Sequence, residues 1–262
     1  MFGTKPIKIQ SSTIGFQRKV VSLFFLSFLG LSSCKKVNKN VDEPSKDMVE
    51  VLDETKTKDS VEVAPVPVPL KEFGDTADTV FVRLADYSHD FVYDMRYATT
   101  NNFLKEKVYD CAECYVRTKT AKALIAVNQE FMKKGVRLKF FDCYRPNSVQ
   151  HKMWKILPNP QYVANPVKGS IHNKGGAVDI TLVDSTGIEL DMGTEFDFFG
   201  KKAHHDFTDL PEEVLANRKL LKDTMEANGF WGIRTEWWHY NLAGASKNTI
   251  ADFRWDCPVE TE

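Results

Sequence analysis

The first 78 residues of this chain are poorly suited to a hydrophobic core, which confines the expected fold to residues 79–262. Lys5, Lys8, Arg18 and Lys19 form a positive region, and "VVSLFFLSFLGLSSC" comes next as a short apolar run ending in small residues and Cys34. That is the pattern of a secretory signal, too short for a membrane span. Residues 35–72 contain "KKVNKNVDEPSKDMVEVLDETKTKDSVEVAPVPVP", charged, poor in aromatics and closing on alternating prolines. Such a segment buries too little apolar surface to offset the entropy of ordering it, and its "PVPVP" end is extended and stiff; a helix through 46–58 is the alternative. The expected organisation is a signal peptide over 1–33, a tether over 34–78 and one folded domain over 79–262.

Charge and cysteines narrow the class. The chain has 35 Lys and Arg against 36 Asp and Glu, a net charge of −1, and so lacks the basic excess that a nucleic-acid partner requires. Hydrophobic residues make up 42% and aromatics 12%, enough for a globular core. "LSSC" resembles a bacterial lipobox, which implies cleavage before Cys34, lipidation of its thiol, and attachment to a membrane surface in the cell envelope, on the periplasmic side, without a spanning helix. Cys111, Cys114, Cys143 and Cys257 remain in the exported part. "CAEC" allows a redox pair, half a zinc knuckle or disulfides; an envelope location favours structural disulfides, with the pairing open.

Periodicity gives the elements. "TVFVRLADY" and "FVYDMRYAT" read as strands or extended edges. "RTKTAKALIAVNQEFMKKG" is a helix with Ala123, Leu124, Val127 and Phe131 on one face and Gly135 as its stop. "VRLKFFD" is a strand, "RPNSVQHKMWKIL" a helix with Pro146 in its first turn, and "LPEEVLANRKLLKDTMEANGF" a helix from Pro211 to Asn228-Gly229. "GIRTEWWHYNL" has strand composition. Helices and strands mix without strict alternation, so the fold class is α+β.

Three pieces carry chemistry. In "GSIHNKGGAVDITL", Gly175 and Gly176 permit positive φ and a fold-back between His172 and Asp179. Asp179 opens a strand among apolar neighbours, where a carboxylate is costly unless paired or metal-bound; a hairpin with an incidental histidine, its Asp accepting backbone N–H bonds, remains possible. In "TEWWHY", Glu236 precedes His239 by three, a spacing that shares a helix face but splits across a strand, so a bend is needed. Together, His172, Asp179 and His239 make a three-ligand zinc set with the fourth position left for water, and Glu236 is then the candidate base. In "FDCYRP", Arg145 lies after a strand and before a helix; it either stabilises an oxyanion or caps a carbonyl. His204 and His205 are read as ordinary loop residues, and His89 and His151 as surface or helix residues.

With these residues in view, "SIHNKGGAVD" resembles the S-x-H-x-x-G-x-A-x-D signature of the zinc D-alanyl-D-alanine peptidases, and "EWWHY" their second motif. "VYDMRYATTNNF", "FDCYRP", "MGTEFDFF" and "EWWHY" occur in the order of the VanX-type D-Ala-D-Ala dipeptidases, across roughly residues 80–257. The resemblance implies a single compact domain of the D-Ala-D-Ala peptidase/hedgehog type and one catalytic Zn²⁺ on His172, Asp179 and His239. It makes Glu236 general base and acid, and gives Arg145 the scissile carbonyl and its oxyanion. Ser170 would touch the substrate, and Asp197 in "TEFDFF" its free ammonium group. The implied activity is hydrolysis of D-Ala-D-Ala and similar D,D-dipeptides. A D,D-carboxypeptidase acting on peptidoglycan stem peptides is the alternative, and a non-catalytic wall-binding lipoprotein a third reading.

Overall fold

The structure is a computed structural model, and it describes residues 68–257. The signal segment, Cys34 and the tether up to residue 67 lie outside the described residues. The packed body reaches further back than Thr79: the Lys71 N–H donates to the Asp86 carbonyl at 2.7 Å, and Phe73 stacks on Tyr87 with ring centroids 4.2 Å apart.

Among the described residues, the strands are β1 (Phe81–Arg83), β2 (Val92–Tyr93), β3 (Tyr115–Arg117), β4 (Val136–Asp142), β5 (Ala177–Asp184), β6 (Phe230–Gly232) and β7 (His239–Leu242). The helices are α1 (Thr118–Met132), α2 (Asn147–Ile156) and α3 (Glu212–Ala227). β1 and β3 pair antiparallel, and the other five strands form one sheet in the order β2-β4-β5-β7-β6. Only β2 and β4 run parallel in that sheet. This is the expected α+β class. No helix among the described residues is long and apolar enough to cross a membrane.

The elements reflect their local chemistry. α1 buries Ala121, Leu124, Val127, Asn128 and Phe131, one stripe at helical spacing; Ala123, expected on this face, sits at its edge, partly buried. Asn128 is the polar member of the stripe and accepts from the Leu138 N–H at 2.8 Å, fixing α1 to β4. Gly135 adopts φ 77° just beyond the helix, a left-handed stop that other residues resist. Pro146 and Pro211 stand immediately before α2 and α3. The two N-terminal extended stretches are broken: single-turn helices at Leu84–Asp86 and Arg96–Ala98 interrupt them.

β5 is the centre of the sheet, and its residues from Ala177 to Val183 are all buried. Val178, Ile180 and Leu182 join Leu138, Phe140, the α1 stripe and Leu221 and Met225 of α3 in one hydrophobic core. By strand alternation Asp179 takes the opposite face. Directly across from it in the ladder stands His239 of β7, while Tyr240 and Leu242 return to the core. The core therefore pins the strands whose other face carries the polar residues.

Candidate active site

The two ligand-bearing segments meet through backbone geometry. His172 begins a single-turn helix, His172–Lys174, which Gly175 ends at φ 69°. Only Gly175 uses the left-handed region; Gly176, expected to share that role, is required for space instead. A Cβ on Gly176 would lie 2.2 Å from the Ala245 Cβ. The chain then enters β5, and the Asp179–His239 ladder pair completes the cluster.

"GIRTEWWHYNL" is not one strand. β6 stops at Gly232 and β7 starts at His239, so Glu236 lies in the connecting turn. This resolves the parity conflict of the three-residue spacing, because the turn frees Glu236 from strand alternation.

The donor set fits a metal ion. Nδ1 of His172 donates to the Cys143 carbonyl at 2.7 Å, and Nε2 of His239 donates to Asn241 Oδ1 at 3.0 Å. Those partners leave lone pairs on His172 Nε2 and His239 Nδ1, which face each other across 3.2 Å. Asp179 Oδ1 stands 2.9 Å from His239 Nδ1 and 3.4 Å from His172 Nε2. Three electron-rich atoms converging in a buried place call for a positive charge between them. Burial works against the Asp179 carboxylate, but His172 and His239 overcome it and hold its pKa well below the usual range. Burial also opposes charge on His239, and Asp179 overcomes it, raising the imidazole pKa. Among the described residues, His172, Asp179 and His239 form a group that can hold a metal ion.

Arg145, Ser170, Asp197 and Glu236 line the same cavity of about 320 Å³ as these three. Arg145 is 7% exposed. Its Nε and Nη2 donate to Asp142 Oδ2 at 3.2 and 2.6 Å, and its Nη1 to Gln150 Oε1 at 3.0 Å. A guanidinium has five N–H donors, so one on each terminal nitrogen is left over. Burial alone would lower its pKa; Asp142 outweighs that and keeps it charged. Ser170 Oγ is buried with no hydrogen-bond partner among the described residues. Burial raises the Glu236 pKa, opposed by His239.

Asp197 accepts from the Tyr97 hydroxyl at 3.1 Å to Oδ1 and 3.2 Å to Oδ2. Burial, reinforced by Asp179, pushes its pKa well above the usual carboxylate range. Its backbone sits at φ 62°, which costs a non-glycine residue roughly 1 kcal/mol or more.

A profile of the D-Ala-D-Ala dipeptidases, peptidase family M15, matches residues 77–256. The chain belongs to that family. It is 34% identical over 179 residues to the D-alanyl-D-alanine dipeptidase of Escherichia coli (strain K12), covering 68% of this chain and 93% of that protein. The enzyme of the same name from Enterococcus faecalis (strain ATCC 700802 / V583) is 31% identical over 183 residues, covering 62% of this chain and 91% of its own length. The family match therefore takes in nearly the whole packed body.

Sequence reading missed the residues that support this constellation. Tyr97 holds Asp197; Asp142 holds Arg145 and accepts the Tyr109 hydroxyl at 2.6 Å; Gln150 and Asn241 fix Arg145 and His239. The available signal was polarity inside buried stripes: Asp142 follows the buried Phe140 and Phe141 at the end of β4, and Gln150 lies on the buried face of α2 with Val149 and Met153. His204 pairs with Arg234, at 3.0 Å. His205 is partly buried and its pKa falls to about 4 through burial; neither lines the cavity.

Proposed function

We propose that this chain hydrolyses D-alanyl-D-alanine and similar D,D-dipeptides to free D-amino acids, with one zinc ion held by His172, Asp179 and His239. The observation that carries the reading is the convergence of all seven candidate residues on one cavity, in a chain of the D-Ala-D-Ala dipeptidase family. When bound, zinc would polarise the scissile carbonyl and bring the pKa of water towards neutrality.

The chain's own residues supply the rest. Asp197 receives the substrate ammonium. A cation buried against a carboxylate gains far more than the neutral amide of a longer peptide would, so a free amine is selected. Arg145, braced by Asp142 and Gln150, turns its remaining N–H donors to the charge that grows on the carbonyl oxygen. Ser170 offers its unpaired hydroxyl to the substrate backbone. Glu236 takes the proton of the attacking water and passes it to the leaving amine; the raised pKa of its half-buried carboxyl suits both halves of that cycle.

We place the enzyme in the bacterial cell envelope, with a signal peptide over 1–33, lipidation at Cys34 and a tether ahead of a domain of the D-Ala-D-Ala peptidase/hedgehog type. Two disulfides, Cys111–Cys257 and Cys114–Cys143, favour an oxidising compartment.

The deciding assay offers the purified protein D-Ala-D-Ala, L-Ala-L-Ala and N-acylated D-Ala-D-Ala, with and without chelator. The free D,D-dipeptide should be cleaved, chelator should abolish turnover, and zinc should restore it. Preference for the acylated peptide would turn the reading to a D,D-carboxypeptidase. Glu236→Gln should keep its zinc and lose about 10³-fold or more in kcat, since proton transfer alone supplies roughly 10²–10⁴-fold; retained turnover would remove Glu236 from the mechanism.

A further inference from the structure

We propose that the Cys114–Cys143 disulfide is a positioning element of the metal centre, because it holds the backbone carbonyl that orients His172. The proposal rests on the reading of His172, Asp179 and His239 as a zinc site.

β4 ends at the site itself. After Phe140 pairs with Ile180 the register shifts, and Asp142 opposite Asp179 is the last pair of the β4–β5 ladder. Cys143 is the next residue. It is fully buried, and its carbonyl accepts the His172 Nδ1 proton at 2.7 Å. That bond leaves Nε2 as the atom facing Asp179 and His239. The orienting carbonyl therefore lies one residue beyond the ladder.

The residues around Cys143 serve as a template for the metal-bearing turn. The Arg145 N–H donates to the His172 carbonyl at 3.2 Å, and Asn173 Nδ2 donates to the Arg145 carbonyl at 2.8 Å. On its other side the template is tied by the disulfide to Cys114, the residue just before β3, and to β3 itself by the Tyr144 N–H, which donates to the Tyr115 carbonyl at 2.8 Å. Cys114 is itself anchored, its carbonyl accepting from the Leu84 N–H at 2.9 Å. Opening the bridge releases the covalent half of that tie. The Cys143 carbonyl is then held less firmly against His172 Nδ1, and the orientation of the imidazole loosens, although Asp142 Oδ2 also stands 3.6 Å from Nδ1. Partners that orient a ligating histidine in this way typically govern metal affinity by roughly 10–100-fold.

The second bridge is a natural comparator. Cys111 and Cys257 are both partly exposed. Its strand of chain touches the metal-bearing turn through the Ala251 N–H, which donates to the Asn173 carbonyl at 2.9 Å, well before Cys257.

The test measures zinc dissociation constants of the full oxidised chain, of C114A/C143A and of C111A/C257A, by competition with a chromogenic chelator. Each is read well below its own melting midpoint. C114A/C143A should bind zinc roughly 10–100-fold more weakly, and C111A/C257A should melt lower yet stay within about threefold of wild type. Unchanged affinity in C114A/C143A, or equal weakening in both variants, overturns the proposal. If C114A/C143A does not fold, C114V/C143A, which refills part of the lost volume, takes its place. If neither melts cooperatively, the bridge is a folding element and the proposal fails. Absence of zinc binding by the wild-type chain would instead overturn the zinc reading itself.

Discussion

Asp197 combines two unfavourable states, a left-handed backbone at φ 62° and a half-buried carboxylate whose pKa is pushed up by desolvation and by Asp179. Tyr97 steadies it with one hydroxyl, which does not balance a buried charge. A substrate ammonium does. Asn tolerates the same backbone region, so Asp197→Asn removes the charge and keeps the turn. The expected outcome is a roughly 10- to 100-fold fall in kcat/KM for D-Ala-D-Ala, the worth of one buried charge-assisted contact. The fall should be much smaller for an N-acylated peptide. Steady-state kinetics on the two substrates check it, and an equal loss on both would detach Asp197 from the ammonium. At this scale the sequence was informative where residue type is rare in its setting, as with His172, Asp179 and Arg145. It marked Asp142 and Gln150 only as polar residues in buried settings and gave no role to Tyr97, because a polar residue in an apolar stripe does not announce its partner. Those partners are 100 residues away for Tyr97 and Asp197, but only three for Asp142 and Arg145.

Elements place the site through two junctions. One runs from the His172–Lys174 turn through Gly175 and Gly176 into β5, and the other is the turn between β6 and β7 that carries Glu236. At the first, Gly176→Ala drives a Cβ to 2.2 Å from the Ala245 Cβ. The backbones must separate, at about 1–3 kcal/mol by the usual cost of overpacking. The thermal midpoint should drop by roughly 2–12 °C, with zinc affinity falling too, because the same shift moves His172 against Asp179. Calorimetry and chelator competition on the variant would expose the error if both stayed at wild-type values. The helices were readable from periodicity, since each has a single buried face, and β4 from its short run bounded by Gly135 and Pro146. The β6–β7 turn was not, because Trp237, Trp238 and Tyr240 are buried and aromatic residues suit a strand and a packed turn alike.

For the whole molecule, the metal and the compartment set the conditions of stability. A ligand bound only by the folded chain, at 100 times its dissociation constant, contributes about 2.7 kcal/mol. For a body of this size that is roughly 5–11 °C in Tm, so zinc should raise the midpoint by about that amount and a chelator should reverse it. No shift would mean that the cluster does not bind the ion tightly. Location is tested on the intact chain in a bacterial host. A palmitate analogue should label the wild type and not Cys34→Ser, and equal labelling would sink the lipid anchor.

Taken alone, the sequence determined the class of the fold, the division into leader, tether and domain as an expectation, and the residue types able to bind a metal and move a proton. These are local properties, set by periodicity, composition and the chemistry of single side chains. Tertiary structure decided which of them meet. It set Asp179 opposite His239 in a ladder, released Glu236 from strand alternation, and paired each half of "CAEC" with a distant cysteine. It also placed the Cys143 carbonyl against His172. Such juxtapositions depend on strand register and chain closure over long separations, which only the packing of the whole core can select.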